Sequence, residues 1–530
     1  MNNLAETLNH LYQAAFLNDA ADHKHICQAI VELANFVAQN QITLDEPTVE
    51  ILARKISDFL EQCGHLLDVS EKYSIIRSVQ QLYGKKRQKQ FKILVPQLIK
   101  LFKSLASDNN LPEEIASNAY DWVFALCWQQ MDNFHDTSLL IKENIVEPYS
   151  NYLDRIRFRP QTTTKISQSK KIKICYLIQH FSVSGSYANG RAIYSLLQGH
   201  FLNNSEDIEI YLYITGATEI SLLPTVLSYN NVIVRNFENH SNSSEKLEKI
   251  RKVAEKDQID ILITEMYFSS NIKYLKSRLA PVQMYLSCGF IPLTIPEVDY
   301  YLLFNNLFDD ARGYTIEESR LLSFPYPLSR EFLCPVIDRE RIKQERMKYP
   351  GAKIVFGSLC RLEKVTDEYL FAVKEILNRI PDSILIIGGP NDKERIAHFL
   401  AANNLSNRVF LPGMVDAHLY GYIFDIYLET FPFGQGMAAV EVMAKNVPVV
   451  KVKSPGMAAI EAHQRDPDLL CEDSTEYVEK VVHLVNDSPY YLKCREKAAQ
   501  IVDYVADVKN ASQIIEQHCR QAISKTSPDS

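Results

Sequence analysis

Residues Phe424 to Val450 read FDIYLETFPFGQGMAAVEVMAKNVPVV, and the stretch has three parts. A β-rich run ends at Thr430, a turn follows through Phe431, Pro432, Phe433, Gly434, Gln435 and Gly436, and an apolar segment stops before Pro448. A glycine-bearing turn that opens a helix leaves several backbone N–H groups unpaired at the positive end of the helix dipole. That arrangement suits an anionic group such as a pyrophosphate. Glu441 stands five residues past Gly436, a little over one helical turn on, where its carboxylate is placed to accept hydrogen bonds from ribose hydroxyls. The pair points to a nucleotide site. The bland reading is an ordinary strand, loop and helix of a parallel sheet, with Glu441 simply exposed.

The same alternation extends to both sides of this stretch. From Lys353 the chain gives the strand pattern IVFGSLCR, a helix through LFAVKEILNRI, the strand SILIIGG, the helix DKERIAHFLAANN and the strand RVFLPG. Earlier, KIKICYLIQHF leads through the small-residue turn of SVSGSYANGRAIYSLLQGH into a helix, the usual first unit of a nucleotide-binding sheet. IEIYLYIT, NVIVRNF and IDILITEMYF follow, separated by helix or loop as parallel strands require. The prolines of FPYPLSREFLCPV mark a connection between two α/β domains. Ahead of them all, residues 1–158 read as helical throughout, as in ICQAIVELANFVAQ and FKILVPQLIKLFKSLA, and RPQTTTKISQSK at 159–170 reads as a linker. The expected division is 1–158 all-helical, 159–170 linker, 171–334 and 335–510 two Rossmann-like domains facing a cleft, and 511–530 a C-terminal helix and tail.

A chain of 530 residues exceeds one core, and its net charge of −8 argues against a general nucleic-acid binder. No apolar run reaches membrane-spanning length, and the start MNNLAETLNHLYQAAF lacks the pattern of a secretory signal, so a cytoplasmic protein is expected. The ten cysteines include no CxxC and no zinc-like Cys/His spacing, so they read as reduced thiols and no metal is expected. Lys85, Lys86, Arg87, Lys89 and Lys92 form a basic cluster, which is either a docking patch or a solvated helix face.

Four segments together resemble the family 41 glycosyltransferases, which include the O-GlcNAc transferases, the plant SPINDLY proteins and the bacterial N-glucosyltransferases of adhesins. In FGSLCRLEKVTDEYL, the spacing of Phe356, Leu362, Lys364 and Leu370 is similar to the family segment whose lysine contacts the donor diphosphate. NRIPDSILIIGGPN follows the family's order of helix, Pro, Ser, strand and Gly. Leu428, Thr430, Gly434, Glu441 and Pro448 fall at its Leu-Asp-Thr, glycine, ribose-acid and Val-Pro positions. LAPVQMYLSCGFIPLTIPEVDYYL is similar to its Ala-Pro-x-Gln stretch ending in Asp-Tyr, and FPFG is nearest to the adhesin-type members.

The resemblance implies a GT-B fold and an inverting, metal-independent transfer of a hexose from a UDP-sugar to an Asn or Ser/Thr side chain of an acceptor polypeptide. The helical domain would bind that acceptor or a partner protein. Lys364 would stabilise the leaving diphosphate, with Arg361 as a second donor. Gly434 and Gly436 would shape the turn, the N–H groups of Gly436, Met437 and Ala438 would face the phosphates, and Glu441 would hold the ribose. His418 falls one residue off the family's histidine near the uracil. His180, at the end of the first strand, is the nearest counterpart of the histidine assigned as base in some members. Met437 and Ala438 replace the family's polar pair, and Glu441 replaces its Asp. Two other readings compete: a non-catalytic GT-B partner subunit, and a retaining, glycan-building GT-B transferase. The latter families carry two glutamates eight positions apart, and Phe433 stands eight before Glu441.

Overall fold

The computed structural model describes residues 23–526 apart from 43, 45, 84–88, 130–133, 157, 159–165, 167–168, 184–187, 220, 222, 230, 239–242, 266–267, 288–292, 305–315, 391–392, 433, 435 and 454–464. Most of the expected linker, together with Lys85, Lys86 and Arg87 of the basic cluster, lies outside the described residues. The chain divides into two compact units, Met1–Thr162 with Met266–Arg278 and Leu293–Glu297, and Thr163–Glu265 with Leu279–Pro292 and Val298–Ser530.

The first unit is helical. Its described α-helices are α1 (His23–Gln39), α2 (Glu46–Cys63), α3 (Val69–Tyr83), α4 (Val95–Ala106), α5 (Glu113–Gln129), α6 (Phe134–Ile141) and α7 (Glu147–Arg155). Helical spacing of apolar residues builds its core: Leu98, Ile99, Leu101, Phe102 and Leu105 are all buried along α4. The polar groups taken inside are paired, as in the 2.8 Å bond between Ser117 Oγ and Tyr149 OH.

The second unit holds two parallel sheets. The first contains β1 (Ile172–Ile178), β2 (Ile208–Ile214), β3 (Val232–Asn236), β4 (Ile261–Thr264), β5 (Val282–Ser287), β6 (Tyr300–Phe304) and β7 (Leu321–Phe324), in the order β3-β2-β1-β4-β5-β6-β7. Its helices are α8 (Ala188–Asn203), the short α9 (Leu223–Leu227) and α10 (Ser243–Asp257). α11 (Ser269–Lys276), although it lies between β4 and β5 in sequence, belongs to the helical unit. There Ser269 N–H and Oγ both donate to the Asp121 carboxylate at 2.8 Å. Lys273 pairs with Glu113 at 2.8 Å, so the segment that leaves the sheet is fastened by charge as well.

After α12 (Arg330–Leu333) and α13 (Arg339–Met347) the second sheet begins. Its strands are β8 (Ile354–Leu359), β9 (Ser383–Gly388), β10 (Val409–Gly413), β11 (Ile426–Leu428), β12 (Val449–Val452) and β13 (Leu470–Cys471), ordered β10-β9-β8-β11-β12-β13. The helices between are α14 (Asp367–Arg379), α15 (Lys393–Ala402), α16 (Ala417–Gly421) and α17 (Met437–Met443), and α18 (Ser474–Asn486), α19 (Ser488–Val505) and α20 (Val508–Thr526) close the chain. In both sheets the order reverses beside the first strand, between β1 and β4 and between β8 and β11. Crevices at the carboxyl ends of strands flanking such reversals are where open α/β sheets bind ligands.

α20 returns to the first sheet and packs on α8. Gly199 permits the approach, since a Cβ there would stand 2.2 Å from the Val508 carbonyl oxygen. A buried relay spans the contact: Tyr176 OH meets His200 Nε2 at 2.8 Å, and His200 Nδ1 meets Glu516 Oε1 at 2.8 Å. Among the described residues no helix is long and apolar enough to cross a membrane. None of the nine described cysteines forms a disulfide.

Candidate donor site

The second sheet's reversal point is flanked by the two segments singled out in the sequence. β8 ends at Leu359 and leads through Cys360 and Arg361 into a 3-10 turn, Leu362–Lys364, and β11 ends at Leu428 and leads into the glycine turn. The pairing of Tyr427 with Gly357 holds these strands side by side. Two hydrogen bonds tie the loops above them: Thr366 Oγ1 donates to the Phe431 carbonyl at 2.9 Å, and Tyr369 OH donates to that of Leu428 at 3.2 Å.

Beneath the glycine turn lies a buried charge cluster. Arg465 clamps Glu429 with Nε to Oε2 at 2.7 Å and a second guanidinium nitrogen to Oε1 at 3.0 Å, and Lys451 Nζ stands 3.7 Å from Oε1. All three side chains are almost wholly buried. The cations also hold the turn. Lys364 Nζ donates to the Gly434 carbonyl at 2.6 Å, and Arg465 donates to that of Gly436 at 3.3 Å. Because a trans peptide sets C=O and N–H antiparallel, the Met437 N–H points away from Arg465. Gly436 takes a left-handed φ of 54° at the start of α17, a backbone state that disfavours any side chain. At Gly434 a Cβ would lie 2.3 Å from Glu429 Oε1 and 2.5 Å from Lys451 Nζ, so the turn settles onto the cluster only with glycine there.

Burial lowers the Lys364 ammonium from the usual lysine range to about 8, and the neighbouring charge of Arg361 adds to the shift. Glu429 acts in the opposite sense and Lys451 in the same one. A cation held under such repulsion gains from an anion beside it. Arg361 itself is exposed at the mouth of the 3-10 turn.

One turn into α17, Glu441 is 6% exposed rather than solvated. Its Oε1 accepts from an Arg191 guanidinium nitrogen on α8, so the first sheet's helix reaches this carboxylate. Burial still raises the Glu441 carboxyl above the usual range, against the opposing charges of Arg191 and Lys445. Lys445 Nζ donates to the Glu441 carbonyl at 2.7 Å and to that of Leu333, and meets His418 Nδ1 at 3.0 Å. Burial, then the charge of Lys445, pushes His418 down to about 4, so the ring is neutral at physiological pH. His418 therefore braces Lys445 and α17, a role its sequence position did not suggest.

Lys364, Arg361, Gly434, Gly436, Met437, Ala438, Glu441 and His418 thus belong to the second sheet and its loops. His180 sits at the carboxyl edge of the first sheet, half-buried, with Nδ1 accepting the Ala217 N–H at 3.2 Å. Burial lowers its imidazole from the usual range. The sequence reading did not single out Arg191, Glu429, Lys445, Lys451 or Arg465. Glu429 alone carried a signal, as the acid of Leu-Glu-Thr inside the stretch that decides the fold. Among the described residues no three His, Cys, Asp or Glu side chains converge as a metal-binding group.

An O-GlcNAc transferase mutant from Thermobaculum terrenum superposes over 99% of this chain and 98% of its own, with a TM-score of 0.59 at 16% identity. The fold is GT-B. A Rickettsia africae glycosyltransferase covers 67% of this chain and 99% of its own with a TM-score of 0.52 at 14% identity. The Anabaena protein Alr3699/HepE, solved in complex with UDP, covers 67% and 100% with a TM-score of 0.48 at 14% identity. Residues 353–487 match the family model described as Glycosyl transferases group 1, which places the charge cluster and the glycine turn of this GT-B chain inside the matched segment. No curated protein matches the chain in sequence.

Proposed function

We propose that the protein is an inverting, metal-independent glycosyltransferase that moves a hexose from a UDP-sugar to an Asn or Ser/Thr side chain of an acceptor polypeptide. The observation that carries this reading is Lys364, a lysine lowered to about 8 beside the glycine turn at a sheet reversal, with Arg361 and Lys451 repelling its charge. A nucleoside diphosphate beside this lysine would favour its charged form. The acceptor atom attacks the anomeric carbon as the bond to the diphosphate oxygen breaks, and the electron pair leaves with UDP. Lys364 and Arg361 meet that growing charge, and the N–H groups of Met437 and Ala438 at the start of α17 add to it. Glu441 takes the ribose diol. His180 is the proposed recipient of the acceptor's proton, and the helical unit is the proposed acceptor or partner-protein surface. The full-length likeness to an O-GlcNAc transferase supports a protein acceptor.

A retaining, glycan-building transferase is the second reading, and the Glycosyl transferases group 1 match is compatible with it. Phe433, where such families carry their first glutamate, opposes it. Incubation with UDP-hexoses and acceptor polypeptides, read by mass spectrometry for sugar on protein and by NMR for anomeric configuration, separates the two. Sugar on protein with inverted configuration is expected. A retained configuration on a glycan would replace the first reading by the second.

A further inference from the structure

We propose that Arg191 completes the nucleoside site from the opposite sheet, holding and aiming the Glu441 carboxylate for the ribose diol. The inference rests on the reading of Glu441 as the ribose acid and adds a positioning residue that the glycine-turn stretch does not contain. Arg191 lies in the first turn of α8, and its side chain is 17% exposed against 8% for that of Glu441. Its geometry is fixed from several sides. Nε donates to the Val183 carbonyl at 2.9 Å, and the guanidinium carbon stands 5.9 Å from the centre of the Phe332 ring, which packs edge-on to Tyr194 at 5.3 Å. The Val183 segment is pinned in turn by Glu219, whose Oε2 accepts from the Val183 N–H at 3.0 Å and from Ser182 Oγ at 2.8 Å.

The consequence for the carboxylate is specific. Each carboxylate oxygen accepts two hydrogen bonds, and Arg191 uses one position on Oε1. Among the described residues no other side chain hydrogen bonds to Glu441, so the acceptor positions of Oε2 are left for a diol while Arg191 holds Oε1. The charged groups facing Glu441 are Arg191 from α8 and Lys445 from the turn that follows α17, with His418 of α16 against Lys445. Lys445 binds the backbone carbonyl of Glu441, which leaves Arg191 as the group that orients its side chain. Ribose recognition thereby draws on a residue of each sheet's helices.

The test uses the full chain titrated calorimetrically with UDP and with 2′-deoxy-UDP. The wild type is expected to prefer UDP by about tenfold, the value of one lost charge-assisted hydrogen bond. Arg191→Ala brings that ratio close to one, Arg191→Lys keeps an intermediate ratio, and Glu441→Gln combined with Arg191→Ala loses no more than Glu441→Gln alone. If Arg191→Ala does not fold, the intermediate ratio of Arg191→Lys decides. An unchanged ratio with weaker UDP binding would make Arg191 a phosphate contact or a packing residue and overturn the proposal. Tighter binding of both ligands would make the pair a latch that the donor must break, and overturn it equally. A wild type that binds UDP without discriminating the two ligands removes the ribose reading of Glu441 itself, whereas a discriminating wild type with an indifferent Arg191→Ala overturns the role of Arg191 alone.

Discussion

At Lys364 two demands meet: the ammonium must stay close to the glycine turn, and it must stay protonated while half-buried beside Arg361 and Lys451. Its lowered value near 8 gives binding a pH signature. The protonated form binds the anion, so UDP affinity holds below about pH 8 and falls above it, by up to about tenfold per pH unit. Lys445 also lies near 8, through burial, so the comparison that isolates the effect is Lys364→Ala, which should flatten this alkaline limb. Calorimetry between pH 7 and 10 checks both outcomes. Lys364 and Glu441 were legible in sequence because each stands in a local pattern, FGSLCRLEK for one and the step past Gly436 for the other. Arg191 was not, since its partner lies 250 positions away and only the packing of two sheets brings them together.

At the scale of elements, the glycine turn is held from below by buried charge, and Glu429 is the anion there. Removing one partner from a buried ion cluster leaves the others uncompensated. Glu429→Ala is accordingly expected to cost about 3–5 kcal/mol in unfolding free energy, measured by chemical denaturation, and to weaken UDP binding as the turn loosens. Exposed pairs such as Lys353 with Asp382 should contribute far less, and Asp382→Asn is expected to change stability by under about 1 kcal/mol. The strand-turn-helix order of this region was readable from periodicity. The helix proved shorter than the apolar run suggested. α17 ends at Met443 and the chain turns at Asn446, whose φ is 59°, before Pro448 leads into β12. An apolar run that continues past a helix end into a buried strand has no break in hydrophobicity to mark the boundary.

Across the whole molecule, two sheets that share the order of their first six strands, the first sheet carrying a seventh, meet in one unit, and the last helix returns to the first of them. The two α/β patterns in sequence carried the GT-B reading. The return of α20 to α8 had no local signal, because a glycine inside a helix pattern does not say what approaches it. Gly199→Val places atoms against the Val508 carbonyl and should cost about 1–3 kcal/mol by overpacking, read as a lower melting temperature. The same holds for α11: its sequence sits between two strands, yet Asp121, Glu113 and Asp154 fasten it to the helical unit.

A nucleoside diphosphate site built from Lys364, the glycine turn and Glu441 must bind UDP. Calorimetric titration of the purified chain with UDP, alongside Lys364→Ala and Glu441→Gln, tests it most directly. Binding in about the micromolar range is expected, weakened at least about tenfold by each substitution. Absence of UDP binding by the wild type, or binding that neither substitution alters, would contradict it.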